Sequence, residues 1–458
     1  MTQPERLQPP GALSVSRLLT FSLANLPLAA LSIAVFVYLP PYFAGHLGVA
    51  MVLVGGVWMG VRLIDIPIDV LLAVAMDRTR TPIGRYRFWL ILGAPVLMLA
   101  FYQLFMAPHG FGAPYLILWL LVMYLGYSIA YLSTSAWGAT LATLYHERSR
   151  LFGVFTAVGV AGALSVLLIP ILGQTFGRTN AQSVQFMGWF LIALTPIAFG
   201  ITALATPERI GRARRDHGFA MTEYLEVLLK PDLLRLFLAQ MALTLGPGWM
   251  SALYMFFFTA SRGFTVQQAS ILLAVYILSG MPGALGAAAL ARRMGKHNTL
   301  IAAATAFSVG LFSILLVPKG DLLLSLPAMV WEGAMAASFN LMIQAMLADV
   351  GDEVRLKQGK ERISLLYAIN ALATKIAAAF SIGLSFPLLQ RLGYNPAEGA
   401  VNSAQAIDRL TIAFIAGPIL FVMLGGACVI GWRLNAARHG EIRMALDNRD
   451  AELLAAGE

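Results

Sequence analysis

The sequence predicts an all-α integral membrane protein of twelve transmembrane helices in two pseudo-symmetric six-helix bundles. Three observations predict it. Of 458 residues, 59% are hydrophobic and only 12% charged, too few charges to cover a soluble surface of this size. Apolar segments of about 20 residues or more recur along the whole length, each able to cross a bilayer as a helix. The one long charged connection, "TPERIGRARRDHGFAMTEYLEVLLKPD", leaves six spans before it and six after it.

The spans are expected near 17–45, 50–76, 87–107, 114–144, 150–175 and 184–205, then 231–261, 265–291, 298–317, 321–349, 361–391 and 407–434. Residues 1–16 are polar and Pro-rich without a signal-peptide pattern, so the first span is expected to be retained. The domains read as an N-terminal six-helix bundle (1–205), a cytoplasmic linker (206–230), a C-terminal six-helix bundle (231–434) and a cytoplasmic tail (435–458). The single cysteine, Cys428, excludes an intrachain disulfide.

Charge sets the expected orientation. With both termini cytoplasmic, the inner segments hold 25 of the 32 Lys and Arg residues and the outer loops five, with Arg62 and Lys375 inside spans. That is the positive-inside pattern. It accounts for the net charge of +9 through anionic lipid heads, without nucleic acid. The halves also echo each other: "DRTRTPIGRYR" follows the second span and "ARRMGKHN" the eighth. Parallel repeats of this kind mark transporters whose solute site lies at mid-membrane.

The chemistry sits in charges that spans avoid. A buried Asp costs about 2.5–3.5 kcal/mol to insert and is kept where it is used. In "RLIDIPIDVLLAVAMDRTRTPIGRYRFW", Asp65 and Asp69 fall one helical turn apart on one face, with Arg62 on the same stripe. Two such carboxylates need a shared proton or an intervening cation, so the pair reads as a site for H⁺ or a small hard cation, Na⁺ included. The competing reading is an Arg62–Asp65 structural ion pair, which does not account for Asp69. Ser133 and Thr134 offer hydroxyl ligands for Na⁺, and Pro67 can free a backbone carbonyl. Lys375 lies too deep in span eleven to snorkel and can neutralise one Asp when the cation is absent. Glu332 in span ten reads equally as lumenal or as an outer-interface residue.

These stretches resemble the glycoside–pentoside–hexuronide:cation symporters, a branch of the major facilitator superfamily. The resemblance rests on the span-two segment and its basic loop, and on "MLADVGDEVRLKQGKERISLLYAINALATKIAAAF" followed by "LLQRLGYNP". It implies the major facilitator fold, with Asp65 and Asp69 as coupling-cation ligands, Arg62 beside them and Lys375 linking cation and solute sites. Asp349 and Asp352, with Arg355, Arg362, Arg148 and Arg150, look like an inner ionic lock. The departures matter too. Where the family's sugar carriers have an acid early in span one, this chain offers Asn25; span four has no acid at all, since none occurs between Asp77 and Glu147.

In its place span four carries a tyrosine stripe, Tyr124, Tyr127 and Tyr131, with Ser128 beside it and Trp137 beyond. Such rings suit a sugar face or an amphipathic solute, and equally suit helix packing. From the second half the solute candidates are Trp249, Tyr254, Glu332 and Asn340, with Gln344, Tyr367 and Asn370.

The expected function is therefore a Na⁺- or H⁺-coupled symporter that imports a small organic solute, by family default a sugar or glycoside, by alternating access. The alternatives are a carrier of a less polar solute such as a lysolipid, terpenoid or aromatic compound, a non-coupled uniporter, or a non-transporting receptor. No nucleophile motif or His/Cys/Asp metal cluster points to an enzyme. No cofactor is expected beyond the coupling ion. The protein is expected to be monomeric and multi-pass in a plasma membrane, the bacterial inner membrane by preference.

Overall fold

The computed structural model describes residues 13–141, 145–208, 230–358 and 363–456. The described residues are helical apart from turns and connecting loops, the longest being residues 392–403, as spans without water around their backbone require. A short amphipathic α1 (Val15–Ser22), capped by the Ser14 side chain on the Arg17 N–H, leads into α2 (Asn25–Gly45). Then follow α3 (Met51–Arg78), α4 (Tyr86–Phe105), α5 (Ala113–Leu141), α6 (Tyr145–Thr175) and α7 (Asn180–Ala205). The second series is α8 (Pro231–Ser261), α9 (Val266–Met294), α10 (Lys296–Leu316), α11 (Leu322–Gln358), α12 (Ile363–Arg391) and α13 (Ala404–Ala427). A polar helix, α14 (Ala436–Ala456), closes the described chain.

Among the described residues, eleven helices are long and apolar enough to cross a membrane. α3 has the length, 28 residues or about 42 Å, but carries Arg62, Asp65 and Asp69 in its middle. The chain is a multi-pass helical membrane protein. Its outward-facing side chains suit lipid: Leu204, Leu285, Leu316 and Leu323 are all strongly exposed.

Two expected boundaries move. Span one does not begin as one helix: the chain turns at Leu23 and Ala24 between α1 and α2. Span twelve stops at Ala427, although the apolar run continues to Leu434. There the chain turns, with Gly431 at a positive φ of 67° and Val429, Trp432 and Leu434 tucked inward. Arg235 fixes this end, donating from Nε to the Cys428 carbonyl at 2.7 Å and from its other arm to Ile430, as a cation at a helix C-terminus does.

The helices divide into two compact bodies. One comprises Met1–Val35, Pro67–Ile169 and Gln182–Arg214, the other Phe36–Ile66, Pro170–Ala181 and Arg215–Glu458. In the first, fully buried Phe21, Phe101, Phe105, Trp137 and Phe199 form the interior. In the second, Phe257 stacks on Phe414 with centroids 3.9 Å apart, and α9 meets α11 through small residues. A Cβ on Gly283 would lie 2.3 Å from the Ala334 Cα, and one on Gly333 2.0 Å from the Tyr276 carbonyl. Helices without side chains at the crossing approach closely, the usual device where lipid supplies no hydrophobic drive. Two helices contain a π turn: α2 at Ala34–Tyr38 and α8 at Phe257–Ser261.

The loop after α3 is built more firmly than a lipid-facing basic loop requires. Glu208 accepts the first backbone N–H groups of α4, from Arg85 and Tyr86 at 2.7 and 2.8 Å and from Arg87 at 3.1 Å. A carboxylate there satisfies donors that have no partner within the helix and meets the positive end of its dipole. Gly84 is left-handed, φ 117°, and a Cβ on it would strike the Glu208 carboxylate at 2.2 Å. The glycine in "TPIGRYR" is thus required twice, by backbone and by space.

Candidate functional site

α3 presents its charges in the order the sequence dictates. Asp65 is 1% exposed, and its Oδ2 accepts from Arg62 Nη1 at 3.1 Å and from Lys375 Nζ at 2.7 Å. The first contact spans one turn of α3; the second joins α3 to α12 within the second body. Removing either cation from a buried carboxylate would strand charge in a dry interior. Pro67, inside the helix, has no N–H to return to the Leu63 carbonyl.

Asp69 lies one turn further on, in the first body. On the same stretch of α3, Ile68, Leu72 and Met76 pack with Leu125, Ile129 and Leu132 of α5, which brings the tyrosine-bearing helix alongside α3. Ser133 and Thr134 are fully buried and donate to the Ala130 carbonyl at 3.0 and 2.8 Å. A hydroxyl that spends its proton on its own helix keeps lone pairs for a cation.

The tyrosines of α5 divide. Tyr127 and Tyr131 stack with centroids 5.9 Å apart and planes at 6°, Tyr131 being exposed, whereas Tyr124 and Ser128 are buried. Trp137 is wholly interior, edge-on to Phe21 at 5.9 Å with the Arg87 guanidinium over its ring. Asn25 is committed to packing: its Nδ2 donates to the Phe155 carbonyl at 2.8 Å and a Cβ on Gly159 would meet it at 2.5 Å.

The second body holds a cavity of about 350 Å³, within the range of small-molecule sites. Its polar lining is Gln240, Thr244, Tyr276 and Asn340, its apolar lining Leu243, Pro247, Ile277 and Phe339 with others. Gln240 donates to Thr244 at 2.8 Å and to Thr374 at 3.2 Å, while its buried Oε1 has no hydrogen-bond partner. Thr374 immediately precedes Lys375, so one hydrogen bond separates the cavity wall from the residue that holds Asp65.

Asn340 is the expected solute residue that lines this cavity. Trp249 and Tyr254 are interior, their polar tips satisfied by the carbonyls of Ala413 and Ala269, both at 2.9 Å. Asn370 is buried, Gln344 half-buried and Tyr367 exposed. Glu332 lies next to the lining residue Gly333 yet is itself fully buried. Neither charge nor motif singles out Gln240, Thr244 and Tyr276 in the sequence. The first two form an i, i+4 polar pair ahead of Pro247 in an apolar span, a signal that could have found them.

At the far end of α11, Asp349 takes Lys296 Nζ at 2.6 Å and His439 Nε2 at 3.4 Å. Asp352 takes His439 at 3.0 Å and Arg443 at 3.5 Å. None of these cations was in the expected lock. Lys296 is the first residue of α10, and His439 and Arg443 are spaced i, i+4 on α14. Arg355 accepts from Arg449 at its carbonyl, at 3.3 Å. Arg150 donates to the Leu13 carbonyl at 3.4 Å, within the first body. Arg362 and the Arg148 side chain lie outside the described residues.

The chain is similar to known proteins over nearly its whole length. A family model described as MFS/sugar transport protein matches residues 20–436. The isoprimeverose transporter of Lactiplantibacillus pentosus is 22% identical over 456 residues, covering 95% of this chain and 92% of the relative. A lactose permease of Lactobacillus delbrueckii subsp. bulgaricus is 24% identical over 340 residues, covering 70% of this chain and 53% of that one. Among solved structures, the nucleoside transporter NupG superposes with a TM-score of 0.70 at 14% identity, over 91% of this chain and all of that one. That last likeness speaks for the fold alone.

Proposed function

We propose that this chain, which belongs to the MFS/sugar transport protein family, couples the import of a small organic solute to Na⁺ or H⁺. Family membership makes it a transporter and not an enzyme; the coupling and the solute are the proposal. The observation that carries the coupling is Asp65 held at 2.7 Å by Lys375 and at 3.1 Å by Arg62, with Asp69 one turn away. Arg62 and Lys375 against Asp65 and Asp69 sum to zero charge, so the carrier without its ion holds no bare charge in the membrane. An arriving cation competes with Lys375 for Asp65. The released ammonium belongs to the turn bonded to Gln240, so ion binding and the cavity wall are mechanically joined. Each state is then selected by what it binds better.

The solute class is proposed from relatives whose names specify isoprimeverose, lactose and raffinose, which makes a sugar or glycoside the first reading. A less polar solute is the second, favoured by the cavity wall itself. Its apolar residues outnumber the four polar ones, and among the described residues no carboxylate or guanidinium lines it. The 25-to-5 distribution of basic residues supports both termini on the cytoplasmic side, and the bacterial origin of the relatives supports an inner membrane, where we propose that the protein acts as a monomer.

The test is thermal unfolding of purified protein in NaCl or choline chloride at matched ionic strength, at two pH values, with Asp69→Asn in parallel. A ligand of the folded state stabilises by about 2.7 kcal/mol at a hundredfold excess over its Kd. Na⁺ stabilisation lost in Asp69→Asn assigns Na⁺; stabilisation by low pH alone, lost in the same variant, assigns H⁺. Identical responses of wild type and Asp69→Asn overturn the coupling.

A further inference from the structure

The cation site proposed above uses two carboxylates of α3. A third membrane-embedded carboxylate, Glu332, is unused by it and sits in a different setting. It is 0% exposed, and neither carboxyl oxygen has a hydrogen-bond partner. Its Oε1 rests where a Cβ on Gly310 would be, 2.3 Å from that position, beside the Trp331 ring. The Trp331 N–H is spent on the Ala306 carbonyl at 2.9 Å and has nothing to give the carboxyl. Among the described residues, no cation pairs with Glu332 in this seat between α10 and α11.

Among the described residues, the groups nearest Glu332 are uncharged or engaged elsewhere. From α9 the titratable group facing it is Tyr276, which interacts with it electrostatically and lines the cavity. α10 presents Gly310; its ionisable residues, Lys296 and His297, lie thirteen or more positions away, about 20 Å along the helix. From α8, Tyr254 approaches Tyr276 rather than Glu332, and its hydroxyl is committed to Ala269. From α12, Lys375 is engaged with Asp65. α14 meets α11 at the opposite end, at Asp349 and Asp352.

An ionised carboxylate in such a place would pay a desolvation cost with nothing to offset it, whereas the neutral acid loses only hydrogen bonds. We propose that Glu332 is a proton-binding site of the second body, occupied in the conformation described here, and separate from the Asp65/Asp69 cation site. The step is the gain or loss of one proton at one carboxyl oxygen, exchanged with water, with no other bond changed. Releasing that proton requires α10 and α11 to part enough to hydrate the carboxylate. The conformation with this seat closed is therefore favoured by proton binding, in the manner of any ligand that binds one state better. Tyr276 stands between Glu332 and the cavity, so a solute touching its ring senses whether the seat is closed.

The experiment is infrared spectroscopy of the full-length protein in lipid, wild type against Glu332→Gln, read at the carbonyl stretch of protonated carboxyl groups above the amide bands. At neutral pH the wild type should show such a band and Glu332→Gln should lose it, while Asp69→Asn should keep it. The wild-type melting temperature should also fall as pH rises. The native state retains a proton that the unfolded state releases, so stability drains away in that direction; Glu332→Gln should flatten this dependence. A band unchanged by Glu332→Gln, or absent from the wild type at neutral pH, overturns the assignment. If Glu332→Gln does not fold, Asp69→Asn decides: a neutral-pH band that persists there and vanishes on alkalinisation together with a falling melting temperature supports the site, and its absence overturns it. None of these readouts requires Na⁺, so the outcome is distinct from that of the Asp69 test.

Discussion

At the scale of single residues, Asp65 is the centre of the candidate site because it is the carboxylate that α3 and α12 share. Asp65→Asn removes the carboxylate oxygen that Arg62 and Lys375 both contact, and Lys375→Ala removes the 2.7 Å contact of Asp65. Each single change is expected to lower the melting temperature and abolish coupled uptake. The double variant Asp65→Asn/Lys375→Ala should recover part of the stability but not the uptake. Groups in direct contact couple by about 0.5–3 kcal/mol, and a double-mutant cycle of unfolding free energies in detergent measures that value; additive effects would mean the 2.7 Å contact carries no energy. A second residue makes a pH-dependent prediction. Burial pushes the Cys428 thiol up, with Arg235 pulling weakly the other way. Since the thiolate is the reactive form, alkylation of native protein at neutral pH should be slower than that of free cysteine and should accelerate as pH rises; mass spectrometry of maleimide adducts reads both.

The residue scale is also where the sequence was most and least legible. Arg62, Asp65, Asp69 and Lys375 stood out because a charge inside an apolar run is costly wherever it points, so no knowledge of its neighbours was needed. Trp137, Trp249 and Tyr254 were named by type, and the structure gives them interior hydrogen bonds and ring contacts. An aromatic residue is read from sequence with its chemistry but without its direction. Gln240 and Tyr276 were passed over for the converse reason: their importance comes from the cavity they border, which only packing creates.

At the scale of elements, the tie between Glu208 and the start of α4 explains a motif that charge counting treats as a lipid anchor. Glu208→Ala removes the acceptor of three backbone N–H groups and is expected to cost about 0.5–2 kcal/mol, the usual range for a lost cap. Gly84→Ala adds a side chain to a left-handed residue against that carboxylate and should cost about 1–3 kcal/mol. Because the clash is with the group that Glu208→Ala deletes, the double variant should be less destabilised than the sum. Thermal denaturation of the four proteins tests this, and strict additivity would disconnect the loop from the cap. Helix existence was readable from hydropathy, since length and apolarity suffice. The ends were not: α13 stops before its apolar run does, because a positive-φ glycine and Arg235 turn the chain there, and hydropathy has no term for either.

At the scale of the whole molecule, the described termini bear on the ionic cluster of α11. α14 is polar and would not be expected to dock, yet His439 and Arg443 bring it to Asp349 and Asp352. Half-exposed ion pairs contribute about 0.2–1 kcal/mol each and weaken with salt. Removing the chain after Leu434 should therefore lower the melting temperature modestly at low ionic strength and make little difference at high ionic strength. A salt-independent loss would point to apolar docking, through Ile442 and Leu446, which are buried. The family and the class of molecule were legible from the sequence because both rest on long motifs and on composition. The tail's docking was not, because its partners are far apart in the chain and each pair is individually weak.

The first membrane helix of each half carries a π turn, α2 at its middle and α8 at its end. A π turn is one residue more than the α-helix needs, held by poorer hydrogen bonds. That surplus residue behaves like a fold in a carpet: it can travel along the helix by exchanging one hydrogen bond at a time. Everything it passes rotates by about 100°, the angle one residue subtends in a 3.6-residue turn. A small slip at Ala34–Tyr38 or Phe257–Ser261 thus reaims a whole line of side chains without breaking the rod that carries them.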